Sequence, residues 1–318
     1  MSRIFWPEGR YLVSGGAGFI GSNLVESLLA AGREVRIIDN FITGKRENLA
    51  DLSGYELIEA DIRSLDSCRA ACHGIDYVLH QAALSSVPRS IDEPIAANEH
   101  NIVGTLNMLM ASRENGVKRV NIAASSSAYG DSDVLPKVET MIPQPMSPYA
   151  ITKLTCEYYA ASFWKIFGLP TIILRYFNVF GKKQDPDSAY AAVIPKFTSM
   201  MLKGKSPVIF GDGEQSRDFT YIEDVIQANA RGVCAGQEAF GQVFNVAYGE
   251  RITLNRLYRK LQELLECDIE PSYEPFRPGE VLHSLADISK ARRLLDYNPQ
   301  VNVIQGLEKT IDWYKANL

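Results

Sequence analysis

The sequence predicts an α/β fold, with a doubly wound parallel sheet and a smaller, discontinuous α/β lobe in its carboxyl-terminal part. In the first half of the chain, apolar runs of strand length alternate with stretches of helical periodicity, which is the pattern of βαβ units. A glycine-rich segment follows the first apolar run directly. Beyond Phe180 the regular alternation gives way to short runs and loops, which indicates a second lobe.

Six apolar runs are predicted as strands of the sheet: residues 11–14, 34–39, 55–60, 77–81, 119–125 and 171–177. Between the first two, apolar residues recur at helical spacing, and Gly32 follows as a cap. Longer helices are predicted over residues 94–115 and 148–168, each opening with a proline suited to a first helical turn. Another helix is predicted near residues 194–203.

The composition excludes several classes of protein. The 318 residues are 46% hydrophobic and 22% charged, which is typical of a globular chain rather than a disordered one. With 33 basic and 38 acidic side chains the net charge is −5, so no general positive field favours nucleic acid or an anionic membrane. Neither a membrane span nor a signal peptide is predicted, and we expect a cytoplasmic protein. Five scattered cysteines and four histidines indicate no metal site.

The glycine-rich segment is Gly15-Gly16-Ala17-Gly18-Phe19-Ile20-Gly21. At this place, between a strand and a helix, glycines permit a tight turn, a close approach of pyrophosphate to the backbone, and close helix packing, as in the Rossmann fold. Asp39 ends the second predicted strand, where a carboxylate can bind ribose hydroxyls and repel a 2′-phosphate. The segment therefore predicts a dinucleotide site that favours NAD over NADP.

Tyr149 and Lys153 lie four residues apart near the start of a predicted helix, so both side chains project from one face. The spacing alone is weak, because a surface tyrosine beside a solvated lysine has the same pattern. The residues Ser125-Ser126-Ser127 end the fifth predicted strand, and ligands of open α/β sheets bind at this edge. The context therefore favours a catalytic group over a surface pair.

Together these features resemble the extended short-chain dehydrogenase/reductase family, and specifically its nucleotide-sugar branch. Four further stretches are most similar to UDP-N-acetylglucosamine 4-epimerases: VLHQAALSSVPRS at 78–90, RYFNVFGKKQDPDSAYAAVIP at 175–195, FGDGEQSRDFTY at 210–221 and HSLADISK at 283–290. The similarity extends over nearly the whole chain. It implies an NAD-dependent isomerase that epimerises C4 of a UDP-sugar through a 4-keto intermediate, most simply UDP-GlcNAc to UDP-GalNAc for polysaccharide biosynthesis.

The resemblance implies three catalytic residues. Tyr149 would remove the proton of the sugar 4-hydroxyl, Lys153 would lower the pKa of Tyr149 and bind the nicotinamide ribose, and Ser125 would hydrogen-bond the reacting oxygen. Bringing a phenol from pKa about 10 to about 7 takes about 4 kcal/mol. One cation at about 5 Å supplies about 3 kcal/mol at an effective dielectric constant of 20. Lys153 and the nicotinamide cation are therefore expected to act jointly.

The glycine-rich segment, Asp39 and the resemblance together imply which residues contact NAD and the UDP-sugar. The NAD site is expected to comprise Gly15, Gly18, Phe19, Ile20, Gly21, Asp39, Asn40, Gly44, Asp61, Ile62, Gln81, Ala82, Ala83, Tyr149, Lys153 and Tyr176. The UDP-sugar site is expected to comprise Ser85, Ser86, Ser125, Ser126, Ser127, Asn178, Gln184, Ala192, Arg217, Arg277 and Ser284. Without the resemblance, Asp61 is a solvated strand end and the two arginines are surface residues. His80 is interpreted as a hydrogen-bonded structural residue.

Three positions bear on the reaction and the sugar. Ser126 and Ser127 stand where dehydratases of this branch have Asp and Glu and where decarboxylating enzymes keep a Glu. They favour epimerisation over dehydration or decarboxylation, the alternative being that they only cap the strand end. Ser284 stands at the gatekeeper position, where a tyrosine restricts relatives to glucose and galactose. At position 85 this chain has serine where some relatives have glycine. The larger side chain narrows the wall near the sugar, so the identity of the sugar stays open. The alternatives are UDP-glucose/UDP-galactose or UDP-hexuronic acid epimerisation, then a nucleotide-sugar dehydratase, and last a non-catalytic NAD sensor.

The domain organisation is predicted from the same patterns. Residues 1–177 would form the NAD-binding domain, to which segments at about 215–250 return, and residues 178–318 would form most of the UDP-sugar-binding lobe. The aromatic cluster Tyr158, Tyr159, Phe163 and Trp164 lies on a helix that joins a dimer interface in this family. The expected partners are therefore a UDP-sugar and a second copy of the chain.

Overall fold

The computed structural model describes residues 4–186, 192–276 and 282–317, and a seven-stranded parallel sheet forms its centre. The strands are Arg10–Ser14 (β1), Glu34–Asp39 (β2), Tyr55–Glu59 (β3), Tyr77–His80 (β4), Arg119–Ser125 (β5), Thr171–Tyr176 (β6) and Gln242–Val246 (β11). Their order in the sheet is β3-β2-β1-β4-β5-β6-β11. Every neighbouring pair is parallel. The predicted strands are present, with bounds that differ by no more than one residue.

The strand order reverses beside β1, which pairs with β2 on one side and with β4 on the other. Val13 lies opposite Ile37 of β2 and Leu79 of β4. At such a point the connections leave in opposite directions, which opens a crevice beyond the carboxyl ends of the strands. The predicted Rossmann doubly wound fold is confirmed.

Helices cover both faces of the sheet. On one face, Phe19–Ala30 (α1) and Ile222–Cys234 (α8) contact each other. On the other face, Leu65–Cys72 (α2), Gly104–Glu114 (α5) and Pro148–Phe167 (α6) form the layer. Two buried apolar clusters fill the spaces on either side of the strands. Both faces of the sheet are therefore buried, which explains why its strands are nearly continuous apolar runs.

The helix predicted over residues 94–115 is interrupted. Val87–Asp92 (α3) and Pro94–Asn98 (α4) precede a π-helical turn at Glu99–Val103, after which α5 begins at Gly104. The wider turn directs Asn101 inward, where its amide binds the backbone of Leu84 and the hydroxyl of Thr152. The π-helical turn goes with the buried hydrogen bonds of a polar side chain, and the spacing of apolar residues in the sequence does not predict such a turn.

The second lobe contains short elements. They are Val179–Phe180 (β7), Val193–Leu202 (α7), Val208–Phe210 (β8), Ser216–Arg217 (β9), Thr220–Tyr221 (β10), Ile252–Thr253 (β12), Leu254–Leu265 (α9), Ser272–Glu274 (β13), Ser289–Leu295 (α10) and Val303–Asn317 (α11). β7 pairs with β10, β8 with β13, and β9 with β12. The chain returns to the main sheet at β11, so this lobe is discontinuous. The domain limits themselves stay a prediction.

The start of α6 is held by two serine hydroxyls. Ser147 is the N-cap and accepts a hydrogen bond from the amide of Ala150 at 3.2 Å. Ser90, in α3, accepts one from the amide of Tyr149 at 3.0 Å. These hydroxyls satisfy helix N–H groups that have no partner within the helix. The first turn of α6, which carries Tyr149, is therefore capped by Ser147 and bound to α3 through Ser90.

Replacing Ser147 by alanine removes the cap and is expected to lower the free energy of unfolding by about 1 kcal/mol. The thermal midpoint should fall by about 2 °C, as measured by differential scanning calorimetry. Ser53→Ala, at an exposed loop residue, serves as the control and should leave the midpoint unchanged. Equal midpoints for the two variants would show that the cap contributes nothing to stability.

Candidate active site

A cavity of about 780 Å³ lies at the carboxyl ends of the strands, in the crevice beside β1 and β4. Nineteen of the residues predicted for the NAD or sugar site line it: Gly15, Gly18, Phe19, Ile20, Gly21, Asp39, Asn40, Gly44, Ile62, Gln81, Ala82, Ala83, Ser85, Ser86, Tyr149, Lys153, Tyr176, Gln184 and Ala192. The fold therefore brings the glycine turn, Asp39 and the Tyr149/Lys153 pair to one cavity. Its volume is in the range of pockets that hold small-molecule ligands and cofactors.

The glycine turn has room on one side only. Gly15 has φ +69°, and a Cβ there would lie 2.8 Å from the Cα of Ala82. A Cβ on Gly21 would lie 2.0 Å from the Gly15 carbonyl oxygen. At Gly18 the one neighbour close to a Cβ is that same oxygen, at 3.2 Å, so the space beyond Gly18 belongs to the cavity. The turn thus fits a pyrophosphate lying against backbone at the start of α1.

Asp39 closes the cavity at the end of β2. Its carboxylate accepts hydrogen bonds from the amides of Ala17 at 2.9 Å and Phe41 at 2.8 Å. A Cβ on Gly44 would lie 2.9 Å from the nearer carboxylate oxygen. The carboxylate is fixed by backbone and lines the cavity, so it is placed to accept bonds from ribose hydroxyls.

Asp61 lies outside the residues that line the cavity, although its neighbour Ile62 is among them. Its carboxylate accepts hydrogen bonds from Asn40 and Arg63. Partial burial raises the pKa of Asp61, but these hydrogen bonds outweigh it and lower the pKa to about 2. Asp61 therefore acts on the cavity through Asn40, as a fixed anion behind it.

Tyr149 and Lys153 both line the cavity from one face of α6. The ammonium of Lys153 donates a hydrogen bond to the carbonyl oxygen of Ala123 in β5, at 2.8 Å. Burial raises the pKa of Tyr149, and its hydrogen bond with Ser125 opposes this. Burial also lowers the pKa of Lys153. Burial therefore disfavours the charged forms of both Tyr149 and Lys153, an effect that the expectation based on one cation did not include.

The three serines form a hydrogen-bonded turn at the end of β5. The hydroxyl of Ser127 donates to that of Ser125 at 2.9 Å, and the amide of Ser127 does so at 3.2 Å. A short 3₁₀ helix, Ser126–Tyr129, follows. Ser125 reaches Tyr149, whereas all three serines lie outside the cavity lining.

A second group of predicted residues lies together in the smaller lobe. The amide of Asn178 donates to the hydroxyl of Ser284 at 3.2 Å and to the carbonyl of Asp218 at 2.9 Å. The guanidinium of Arg217 donates to the carbonyl of Leu282 at 2.8 Å. These residues do not line the cavity. Arg277 is among the predicted substrate residues and lies outside the residues that the structure describes.

Gln184 and Ala192 join the cavity from the smaller lobe. The amide nitrogen of Gln184 donates to the carbonyl of Val179 at 3.0 Å. Its amide oxygen is buried and has no hydrogen-bond partner among the described residues. A buried acceptor of this kind is costly unless a donor meets it, so the oxygen is suited to bind a ligand.

Three cationic residues of the cavity were not predicted from the sequence. Lys45 pairs with Asp185 at 2.9 Å, Lys183 pairs with Glu26 at 3.0 Å, and Arg89 also lines the wall. For Lys45 a signal was present, because it follows Gly44 of the predicted NAD site. Lys183 is brought to the cavity by the smaller lobe, and no spacing in the sequence relates it to the glycine turn.

The described residues show how His80 is held and whether they contain a metal site or a membrane-spanning helix. His80 binds Ser14 at 2.7 Å and Thr105 at 2.9 Å, which matches its interpretation as a hydrogen-bonded structural residue. Within residues 4–186, 192–276 and 282–317, no group of three or more His, Cys, Asp or Glu side chains is arranged to bind a metal ion. No helix in these same ranges combines the length and the apolar character of a membrane span.

Known proteins with similar sequences and structures share this architecture. The UDP-glucose 4-epimerase of Mycolicibacterium smegmatis is 34% identical over 311 residues, covering 96% of this chain and 98% of the relative. The structure of the UDP-N-acetylglucosamine 4-epimerase from Methanobrevibacter ruminantium M1, in complex with UDP-N-acetylmuramic acid, has a TM-score of 0.93 and 41% identity. The match covers 98% of this chain and 99% of that one.

A second solved structure is the UDP-glucose 4-epimerase of Thermotoga maritima with UDP-glucose, with a TM-score of 0.92 and 38% identity. The match covers 96% of this chain and 99% of the Thermotoga maritima chain. Residues 11–247 match the NAD dependent epimerase/dehydratase family, from the first strand of the sheet to its last. Since the match spans the whole sheet and the relatives align along nearly the full length, the chain belongs to the NAD dependent epimerase/dehydratase family and uses NAD as its cofactor.

Proposed function

We propose that the protein is an NAD-dependent UDP-sugar 4-epimerase that interconverts UDP-GlcNAc and UDP-GalNAc. The observation that carries the proposal is that Tyr149 and Lys153 line the same cavity as the glycine turn and Asp39. A proton acceptor and the cofactor site thus face a common space. The similarity to UDP-sugar 4-epimerases along nearly the full chain supports the choice of reaction.

The residues of the cavity fit NAD at each end. The backbone at Gly15 and Gly18 would bind the pyrophosphate, Asp39 the adenosine ribose, and Lys153 the nicotinamide ribose. When bound, NAD would supply a hydride acceptor for C4 of the sugar and, once reduced, a hydride donor to the 4-keto sugar. No net oxidation results, so the same cofactor molecule serves successive turnovers.

Proton transfer would be the task of Tyr149. Its phenolate oxygen accepts the proton of the 4-hydroxyl as the C4–H bond breaks, and it returns that proton when the alcohol forms again. Ser125, which hydrogen-bonds Tyr149, would also bind the reacting oxygen. Because burial raises the pKa of Tyr149 in the chain itself, the base form depends on cations placed beside it. Lys153 is the cation that α6 supplies.

The serine turn favours epimerisation over dehydration. Eliminating water from a sugar needs an acid and a base besides the tyrosine, and the two residues after Ser125 are Ser126 and Ser127. Neither can act as a carboxylate. The retained Ser125, Tyr149 and Lys153 also argue against a non-catalytic NAD sensor, which has no need of these groups.

The choice of an N-acetylated sugar rests on Ser284. Its small side chain is held by Asn178 and by the amide of Asp218, at 3.2 and 3.3 Å, so its position is fixed and little volume is filled. A UDP-N-acetylglucosamine 4-epimerase is among the similar structures. UDP-glucose/UDP-galactose is the second candidate, since a UDP-glucose 4-epimerase is nearly as similar, and UDP-hexuronic acid is the third.

The diphosphate of the substrate would be bound by Arg217 and Arg277, whose guanidinium groups suit two phosphate oxygens. Arg217 is oriented by its bond to the carbonyl of Leu282, next to the segment that carries Ser284. Gln184, Asn178 and the cavity residues Ser85, Ser86 and Ala192 would contact the sugar. The product would be a sugar donor for polysaccharide biosynthesis. We infer a cytoplasmic location for the protein.

We also infer that the protein is a homodimer through α6. Of the aromatic residues on this helix, Phe163 is buried in the core, whereas Tyr158 is 61% exposed. Ile151 and Ile166 on the same helix are 50% and 67% exposed. Exposed apolar side chains along one helix are suited to cover one another in a second copy.

The Tyr149→Phe variant removes the phenol oxygen and should lower turnover of UDP-GlcNAc about 1,000-fold while NAD stays bound. Turnover is measured by NMR after incubation with UDP-GlcNAc, with and without added NAD. Tyr158→Phe, on the exposed side of the same helix, should behave as the unmodified protein. Normal turnover in Tyr149→Phe would remove Tyr149 from the reaction, and inactivity of the unmodified protein on every UDP-sugar would refute the proposed function.

The Ser284→Tyr variant should lose activity on UDP-GlcNAc before activity on UDP-glucose, because the larger ring occupies the volume needed by the acetamido group. We expect the ratio of the two kcat/KM values to change at least tenfold, which corresponds to about 1.4 kcal/mol. Ser284→Ala, which loses the hydrogen bonds without adding volume, is the control and should keep the ratio. An equal loss on both sugars would contradict the assignment.

The inferred dimer predicts that light scattering gives about twice the chain mass of 35.4 kDa. Replacing Tyr158 and Ile166 by glutamate puts charge into the covered face and should give the monomer mass. The double replacement Ile42→Glu and Val134→Glu, at exposed apolar residues away from α6, is the matched control. A monomer mass for the unmodified protein would exclude the dimer.

A further inference from the structure

Glu157 and Arg175 form an ion pair in the interior, between α6 and β6. Two nitrogens of Arg175 donate to the two carboxylate oxygens of Glu157, at 2.8 and 2.7 Å. Both side chains are 3% exposed. Removing two charges from water is costly, and apolar side chains often stabilise such a place at least as well. The pair is therefore weak as a source of stability, which leaves room for another role.

The pair lies directly beside groups of the proposed reaction. Glu157 is one helical turn beyond Lys153 on α6, as Lys153 is one turn beyond Tyr149, so the three side chains follow each other along one face. Lys153 and Glu157 are both buried. Unlike charges one turn apart attract each other, and they do so more strongly when water is excluded.

Arg175 holds the carboxylate from the opposite side. Its guanidinium lies 4.6 Å from the ring centre of Tyr129, which ends the serine turn. The hydroxyl of Tyr129 donates to Asn245 at 2.7 Å, and Asn245 donates to the carbonyl of Asp287 at 3.0 Å. Arg175 thus connects Glu157 with the residues after the serine turn, and Glu157 cannot rotate away without breaking its two hydrogen bonds to Arg175.

The electrostatic setting of Lys153 shows what the carboxylate contributes. Burial is the largest influence and lowers the pKa of Lys153, whereas Cys156 and Glu157 act in the opposite direction. The titratable or charged groups around Lys153 come from α6, β4 and β6: Tyr149, Cys156, Glu157, His80 and Arg175. Cys156 and His80 are neutral near pH 7, since burial raises the pKa of the first and lowers that of the second.

We propose that Glu157 is a positioning residue of the epimerase, which, held by Arg175, keeps the ammonium of Lys153 charged across the working pH range. The inference rests on the proposed function of Lys153 beside Tyr149. A neutral Lys153 would no longer stabilise the phenolate, so the base would be lost even though all three catalytic side chains were present. Without Glu157, Lys153 would lose its proton at a lower pH, and turnover would fall on the alkaline side.

The test compares Glu157→Gln, which keeps the shape and removes the charge, with the double variant E157Q/R175M, which removes both charges. The proton equilibrium of Lys153 is followed through its ε-¹³C NMR signal in lysine-labelled protein with NAD bound, assigned with Lys153→Arg. We expect Lys153 to titrate about 1 pH unit lower in Glu157→Gln. The shift should be smaller in E157Q/R175M, because the unpaired Arg175 no longer adds repulsion. The alkaline limb of kcat should move in the same order.

Glu114→Gln is the matched control, because Glu114 also binds one arginine, Arg69, through both of its oxygens but at the surface. It should leave the titration of Lys153 and the pH profile unchanged. If Lys153 titrates as in the unmodified protein in both Glu157 variants, the pair is structural and the inference is wrong, whatever the melting temperatures. Should Glu157→Gln fail to fold, E157Q/R175M decides the question alone. The NMR titration uses no substrate, so inactivity of the unmodified protein would refute the proposed function separately.

Discussion

The candidate site depends on the burial of one face of α6 that carries ionisable side chains. Taking Lys153, Tyr149 and Glu157 out of water is unfavourable for each of their charged forms: burial raises the pKa of Tyr149 and Glu157 and lowers that of Lys153. Each group has a specific partner within the chain. The ammonium of Lys153 donates a hydrogen bond to the carbonyl of Ala123, and the phenol of Tyr149 is hydrogen-bonded with Ser125. The carboxylate of Glu157 accepts hydrogen bonds from Arg175. These partners lie on β5 and β6, so the pairing of strands in the sheet sets the positions of the chemical groups.

The same arrangement explains why the fold places the cofactor and the proton acceptor together. Parallel strands end at one edge, and the reversal of strand order beside β1 opens a crevice there, lined by Gly15 and by the loop after β4. The helix α6 follows β5 and returns along the sheet with its first turn at this edge. The hydroxyls of Ser147 and Ser90 bind the backbone of this first turn, which carries Tyr149.

Much of this arrangement could be predicted from the sequence, because the signals are local. The strands are short apolar runs, the glycine turn joins a strand to a helix, and Tyr149 and Lys153 share a helix face by spacing alone. The interruption of the helix after Asn98 was not predicted, because a π-helical turn changes the direction of Asn101 without changing the apolar pattern. Lys183 was not predicted because it reaches the cavity from a different lobe. Arg175 was not predicted because a buried arginine in an apolar strand has no local sequence signal.

The sequence by itself determined the first six strands of the sheet, the position of the dinucleotide turn and the identity of the groups available for proton transfer, because each depends on neighbouring residues and on backbone geometry. The tertiary structure decided which of these groups meet and in which direction their pKa values shift. Burial opposes the phenolate of Tyr149 and lowers the pKa of Lys153, and the carboxylate of Glu157, which Arg175 of β6 binds, acts against this lowering. Such effects arise from desolvation and from contacts between distant segments, which are set only when the chain is folded.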